Sequence, residues 1–225
     1  MIEGRNLWEL VEARVDATPD SEMTVDATGR AMTFGQYHAA AERAAAGLAT
    51  DHGIAAGDVV SWALPTRHES LVLSAALARL GAVQNPIIPI YRDRELGFVT
   101  NQAGTKLLIE PGTFRGFDFS AMADRLGVAH LTAAPALPDG DPSTLAPAPG
   151  APATSDDEPV SWLFYTSGTT ADPKGAKHTD GDIIATARGM GDCRARHDDR
   201  NLMAFPVTHI AGPIWLSPPA SCTGW

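Results

Sequence analysis

The apolar run Val160-Ser161-Trp162-Leu163-Phe164 passes directly into Tyr165-Thr-Ser-Gly-Thr-Thr-Ala-Asp-Pro-Lys174-Gly175, and this junction constrains the chain more than any other stretch. A buried strand that ends in hydroxyls, glycines and a single lysine presents polar groups at its carboxyl end, where open α/β sheets bind ligands. The loop has the chemistry of a phosphate cradle. Gly168 and Gly175 let the backbone come close to a ligand, Thr166, Ser167, Thr169 and Thr170 supply hydroxyl donors, and Lys174 adds a compact positive charge. Asp172, the one carboxylate, is expected to point away.

Spacing excludes two look-alikes. A Walker loop places its lysine after the second glycine and opens a helix, whereas Lys174 precedes Gly175 and follows Pro173. A serine-hydrolase elbow requires glycine two residues before the serine, and Ser167 has Tyr165 there. A plain Ser/Thr-rich surface turn is the remaining alternative from the residues alone.

The chain before this junction alternates helix and strand patterns. Asn6 caps a first amphipathic helix that Thr18-Pro19 ends; Met23–Ala27 and Ala31-Met32 read as two strands around Thr28-Gly29-Arg30. Thr33 and Gln36 form a capping box for an alanine-rich helix over 34–50, ended at His52-Gly53. Val59–Leu64 is a buried strand, Thr66-x-x-Glu69 starts a helix and Gly81 stops it. Further apolar segments flank Pro86; then come a helix over 95–102, a strand over 106–109, a short helix over 122–126 and a strand over 128–131. This alternation predicts an α/β fold with mostly parallel sheets covered by helices. Residues 1–132 form a first subdomain. Residues 133–159, with seven prolines and the acids Asp139, Asp141, Asp156, Asp157 and Glu158, read as a solvated linker, and 160–225 as an incomplete second subdomain opening a second sheet. There, 176–178 is a short strand, Thr179 and Asp182 cap a helix, and 201–205 is a strand.

Composition narrows the function classes. A net charge of −10 offers no basic field for nucleic acid or anionic lipid, and no run approaches the roughly 18 apolar residues of a membrane span. Cys193 and Cys222 lack zinc or redox spacing, nothing in the spacing pairs them in a disulfide, and the reading is a cytoplasmic protein with reduced thiols. His178 and His197, with Asp180, Asp182, Asp198 and Asp199, show no ligand spacing, so they read as solvated charge and no metal site is expected.

Tyr165–Gly175 resembles the phosphate loop of the adenylate-forming superfamily, which includes acyl-CoA synthetases, luciferases and peptide-synthetase adenylation domains. The pattern there is Thr-Ser-Gly-Thr-Thr-Gly-x-Pro-Lys-Gly, with Ala171 the one departure. The segments Gly57-Asp58-Val59-Val60, Ala78–Ala82, Asn85-Pro86, Arg94-Glu95-Leu96 and Ala103–Lys106 are similar to the amino-terminal subdomain of acyl-CoA synthetases, and 85–95 looks closest to the cyclohexanecarboxylate-CoA ligase branch.

The resemblance implies ATP, Mg2+ and coenzyme A as cofactors and a carboxylic acid as substrate. Thr166, Ser167, Gly168, Thr169, Thr170, Lys174 and Gly175 would hold the phosphates. A lone histidine at a strand end reads by itself as a structural residue; in the pattern Pro206-x-x-His209-x-x-Gly212 the resemblance places His209 in the substrate pocket. The family's magnesium-holding glutamate, ribose-gripping aspartate and catalytic lysine match no segment here. The resemblance therefore implies a truncated or frame-shifted amino-terminal portion of the large domain, with no catalytic residue assigned and no activity alone. A non-catalytic remnant or interaction module is the alternative, and a complementing chain or a chaperone the expected partner.

Overall fold

The computed structural model describes residues 4–133, 136–150, 158–166, 172–189, 202–203 and 205–216. Helix α1 (Leu7–Ala17) begins where the Asn6 side chain accepts a hydrogen bond from Glu9 N at 2.8 Å, and it buries Trp8, Leu10 and Arg14. A hairpin of β1 (Glu22–Val25) and β2 (Ala31–Thr33) delivers the chain to α2 (Phe34–His52) through the expected reciprocal cap between Thr33 and Gln36.

Parallel strands then alternate with helices. They are β3 (Val59–Trp62), α3 (His68–Leu80), β4 (Val83–Pro86), α4 (Asp93–Ala103) and β5 (Leu107–Glu110). Gly81 ends α3 at φ +67°, a left-handed conformation that favours glycine. A small hairpin of β6 (Thr113–Phe114) and β7 (Phe117–Asp118) leads into α5 (Phe119–Leu126) and β8 (His130–Thr132). Its turn carries Arg115 at φ +49° and Gly116 at φ +76°. Arg-Gly is not among the usual sequence signals for such a turn, so this hairpin has no counterpart in the sequence reading.

Among the described residues the segment from Val160 opens no separate second sheet. Strands β9 (Trp162–Tyr165) and β10 (Gly175–His178) extend the first one, giving the six-stranded order β10-β9-β4-β3-β5-β8, with only the β9–β10 pair antiparallel. Gln84 of β4 pairs with Trp162. Helices cover both faces. Leu107 and Ile109 pack with Trp62, Leu48, Leu73 and Leu77 on the α1–α3 side, while Leu108 packs with Leu96, Phe119 and Met122 of α4 and α5. Alternate residues of β5 thus serve opposite layers, as the two-residue period of a strand requires.

The described part of the expected linker is mostly exposed, as expected, but it does not run free of the domain. Residues 136–150 lie as a strap over α2 and α3, with Leu137, Leu145 and Ala148 against the core. Gly140 N donates to Arg43 O at 3.0 Å, and a Cβ on Gly140 would sit 2.5 Å from Gly47 N. Arg79 donates to both Glu42 and the carbonyl of Ala146, fastening helix and strap together. Proline prevents regular hydrogen bonding but not apolar packing, and composition alone could not separate the two.

After β10, the Thr179 hydroxyl accepts from Asp182 N at 3.1 Å and the Asp182 carboxylate accepts from Thr179 N, opening α6 (Asp180–Gly189) as expected. Of the strand expected over 201–205, residues 201 and 204 lie outside the described ones. Leu202, Met203 and Phe205 are not in a strand, and Leu202 and Phe205 are exposed. A last helix, α7 (Ala211–Leu216), closes the described chain. None of the described helices is long and apolar enough to cross a membrane.

Candidate functional site

The loop of interest is the tip of the β9–β10 hairpin. Thr166 N donates to the carbonyl of Lys174 at 3.0 Å, closing the loop at its base, and Lys174 itself is exposed. Since β9 runs parallel to β4 and β3, the tip emerges at their carboxyl ends, where open sheets of this kind bind ligands. Residues 167–171 lie outside the described residues, so Ser167, Gly168, Thr169 and Thr170 have no structural account. Gly175 has one that sequence reasoning missed. It pairs with Tyr165, and a Cβ there would meet the Tyr165 ring at 3.0 Å. The residue makes room for that ring, and burial raises the Tyr165 phenol pKa above its ordinary value.

His209 lies not at a strand end but in the turn before α7. Its Nδ1 accepts from Ala211 N at 3.2 Å, which puts the proton of the neutral ring on Nε2, and its ring stacks on Phe205 with centroids 6.2 Å apart. The turn is anchored by Thr66. Its hydroxyl accepts from Val207 N at 3.0 Å. Thr66 therefore does not cap α3 as the sequence suggested: Arg67 occupies the cap position without a side-chain hydrogen bond. Because Thr66 follows β3 by a few residues, residues 206–209 also sit at the carboxyl edge of the parallel strands. Lys174 and His209 are thus carried to one edge of one sheet by β9 and β3, with β4 between them. Thr66→Val should leave Val207 N without its acceptor, at a cost of about 1–3 kcal/mol. Hydrogen exchange at Val207 is expected to accelerate in that variant while the amides of β3 stay protected.

Asp180 is the residue most changed by the structure. Expected to be solvated, it is buried, with Oδ1 accepting from Trp162 Nε1 at 2.8 Å and Oδ2 from Leu7 N at 2.9 Å. Burial pushes its pKa up; the two N–H donors pull it down, and the negative charge of Glu158 adds to the rise. Glu158 itself accepts from Gly181 N at 2.6 Å, beside the start of α6. A signal was available in the sequence: a tryptophan in a buried strand usually has an acceptor for its indole N–H nearby. His178 Nδ1 stands 3.9 Å from Asp182, and among the described residues no group of three or more His, Cys, Asp or Glu could hold a metal ion.

The described residues thus form a helix-covered, mostly parallel sheet with the β9–β10 hairpin at its carboxyl edge, an α/β architecture. Residues 11–224 match the model of the AMP-binding enzyme family, and the chain belongs to that family. The long-chain-fatty-acid–CoA ligase FadD13 of Mycobacterium tuberculosis is 32% identical over 212 residues, covering 92% of this chain and 42% of the relative. The probable CoA ligase CCL9 of Humulus lupulus is 32% identical over 181 residues, with 76% and 34% covered. Among solved structures, a fatty acyl CoA synthetase of M. tuberculosis superposes with a TM-score of 0.73 at 25% identity, over 98% of this chain and 43% of that one. ATP-bound MatB of Rhodopseudomonas palustris gives 0.76 at 24% identity, over 96% and 44%, and supports the fold alone. The chain therefore spans less than half the length of these relatives.

Proposed function

We propose that the chain provides the phosphate-holding part of an ATP-dependent acyl-CoA ligase. In that reaction a carboxylate attacks the α-phosphate of ATP, acyl-adenylate forms as pyrophosphate leaves, and the thiol of coenzyme A then takes the acyl group. The observation that supports this most directly is the hairpin tip itself, closed by Thr166 and Lys174 at the carboxyl edge of the sheet, with Lys174 exposed. The Thr166 hydroxyl and the Lys174 ammonium, together with Ser167, Gly168, Thr169, Thr170 and the Gly175 backbone, would hold the β- and γ-phosphates of ATP. Lys174 would offset charge developing on the departing pyrophosphate, and such fixed charge is the main lever a protein has in phosphoryl and adenylyl transfer.

His209 would border the carboxylate, offering its Nε2 proton, while Nδ1 stays engaged with the backbone of Ala211. Mg2+ would be held chiefly by the phosphates of ATP, as is usual for this ion in nucleotide sites.

Titration of the 225-residue chain with pyrophosphate, followed at the amides of Thr166, Lys174 and Gly175, tests the reading. Lys174→Ala is expected to weaken binding by roughly tenfold to a hundredfold, the range for loss of a charge-assisted hydrogen bond. Lys177→Ala removes an equal charge from β10, where Lys177 pairs with Leu163, and should change affinity about twofold at most. Unchanged amide signals at high pyrophosphate, or equal losses in both variants, would count against the assignment.

A further inference from the structure

Arg14 is a cation without a counter-charge in the described structure. It is 5% exposed on the inner face of α1, and its Nε and Nη1 have no hydrogen-bond acceptor. The guanidinium lies 4.5 Å from the centre of the Phe34 ring, which covers one face of its plane but accepts none of its in-plane N–H donors. A buried charge in that condition is costly unless something pairs with it. Arg14 also lines a cavity of about 60 Å³ whose walls include Leu10, Val11, Phe34, Ala75, Ala78 and Pro213. Among the described residues Arg14 is the only charged one lining it, so the described wall supplies no anion.

We propose that this cleft between α1, α2, α3 and the start of α7 binds a short amphipathic carboxylate, with the carboxylate on Arg14 and the hydrocarbon tail against the apolar walls. The two ends of such a ligand match the two ends of the site. A planar monoanion is neutralised by a single guanidinium edge, whereas a phosphate dianion would leave one negative charge uncompensated in a lining whose other described residues are uncharged. A volume equal to about four to six water positions accommodates a chain of only a few carbons. The inference stands apart from the phosphate-loop reading, since neither Lys174 nor His209 takes part in it.

Pentanoate is the probe, with pentan-1-ol supplying the tail without the charge and inorganic phosphate the charge without the tail. Methyl signals of Leu10, Val11 and Ala75 in the 225-residue chain should shift saturably with pentanoate, in a range on the order of millimolar for so small a ligand. Pentan-1-ol and phosphate should bind at least about tenfold more weakly. Arg14→Met is expected to abolish the preference for pentanoate over pentan-1-ol. Ala78→Leu, which keeps the arginine and fills the cavity, should weaken pentanoate and pentan-1-ol alike, and it decides the matter if Arg14→Met does not fold. No saturable shift, an alcohol that binds as tightly as the acid, or pentanoate binding unchanged in Ala78→Leu would each overturn the proposal. So would an Arg14→Met protein that retains the preference.

Discussion

Replacing Asp180 with alanine is expected to lower stability by about 2–4 kcal/mol, more than any single change at the exposed hairpin tip. The buried Trp162 Nε1 and the part-buried Leu7 N both lose their acceptor, a loss of about 1–3 kcal/mol for a buried donor and less for a part-buried one, partly offset because a buried carboxylate no longer has to be desolvated. The carboxylate joins the first residue of α1 to β9, so the amino-terminal helix should loosen first. Fluorescence of the tryptophans and exchange at Leu7 N would report it. The pH dependence has a definite sign. Burial raises the folded-state pKa of Asp180 above the ordinary carboxylate value, so folding favours its neutral form. That contribution is fully present below the ordinary value, and it is lost as pH rises through the raised one. The stability difference between wild type and Asp180→Asn should therefore shrink as pH increases from acid toward neutrality. A difference that grows with pH would contradict burial as the dominant influence.

Gly212→Ala is the second large effect. A Cβ at this position would lie 2.4 Å from Val207 O and 2.6 Å from Val207 Cα, backbone atoms that cannot rotate out of the way. Gly212 N also donates to His209 O at 2.7 Å, so helix start and turn are drawn tightly together. Overpacking of this kind costs about 1–3 kcal/mol or forces the backbone to move. The expected outcome is displacement of 206–209 with loss of the Thr66–Val207 hydrogen bond, seen as fast exchange at Val207 and a changed environment for the His209 ring. A variant with Val207 still protected would show that the turn has room to spare. The glycine of Pro206-x-x-His209-x-x-Gly212 thus has a packing explanation that needs no ligand.

Much of the α/β alternation was legible because its signals are local. Caps at Asn6, Thr33 and Thr179, the stop at Gly81 and the buried run of β5 each follow from neighbouring residues. Sheet membership was not legible. Nothing near Trp162 says that its strand lies beside β4 rather than opening a new sheet, because that choice is made by long-range pairing. The same limit applies at the site. The hairpin that holds Thr166 and Lys174 follows from the chain's order, whereas the partner of Thr66 comes from residue 207 and that of Asp180 from residue 7. Side chains that serve a distant segment carry no local pattern.

The strap has a consequence for the order of assembly. It leaves the sheet at β8, crosses α2 and α3, and returns the chain at the far side of β4, so the β4–β9 pairing closes a very long loop. Non-local parallel pairing of this sort is slow, because loop entropy is lost before the contacts that offset it are made. Strands β3, β4, β5 and β8 can associate as soon as their own crossovers are complete, whereas β9 follows the strap, which packs on α2 where Gly140 meets Gly47. During that interval the edge of β4 offers unpaired backbone to any other chain. Strand β9 and the Lys174 that follows it would accordingly be among the last parts of the molecule to take their place, and their arrival would cover the β4 edge and leave β10 and β8 as the edges of the sheet.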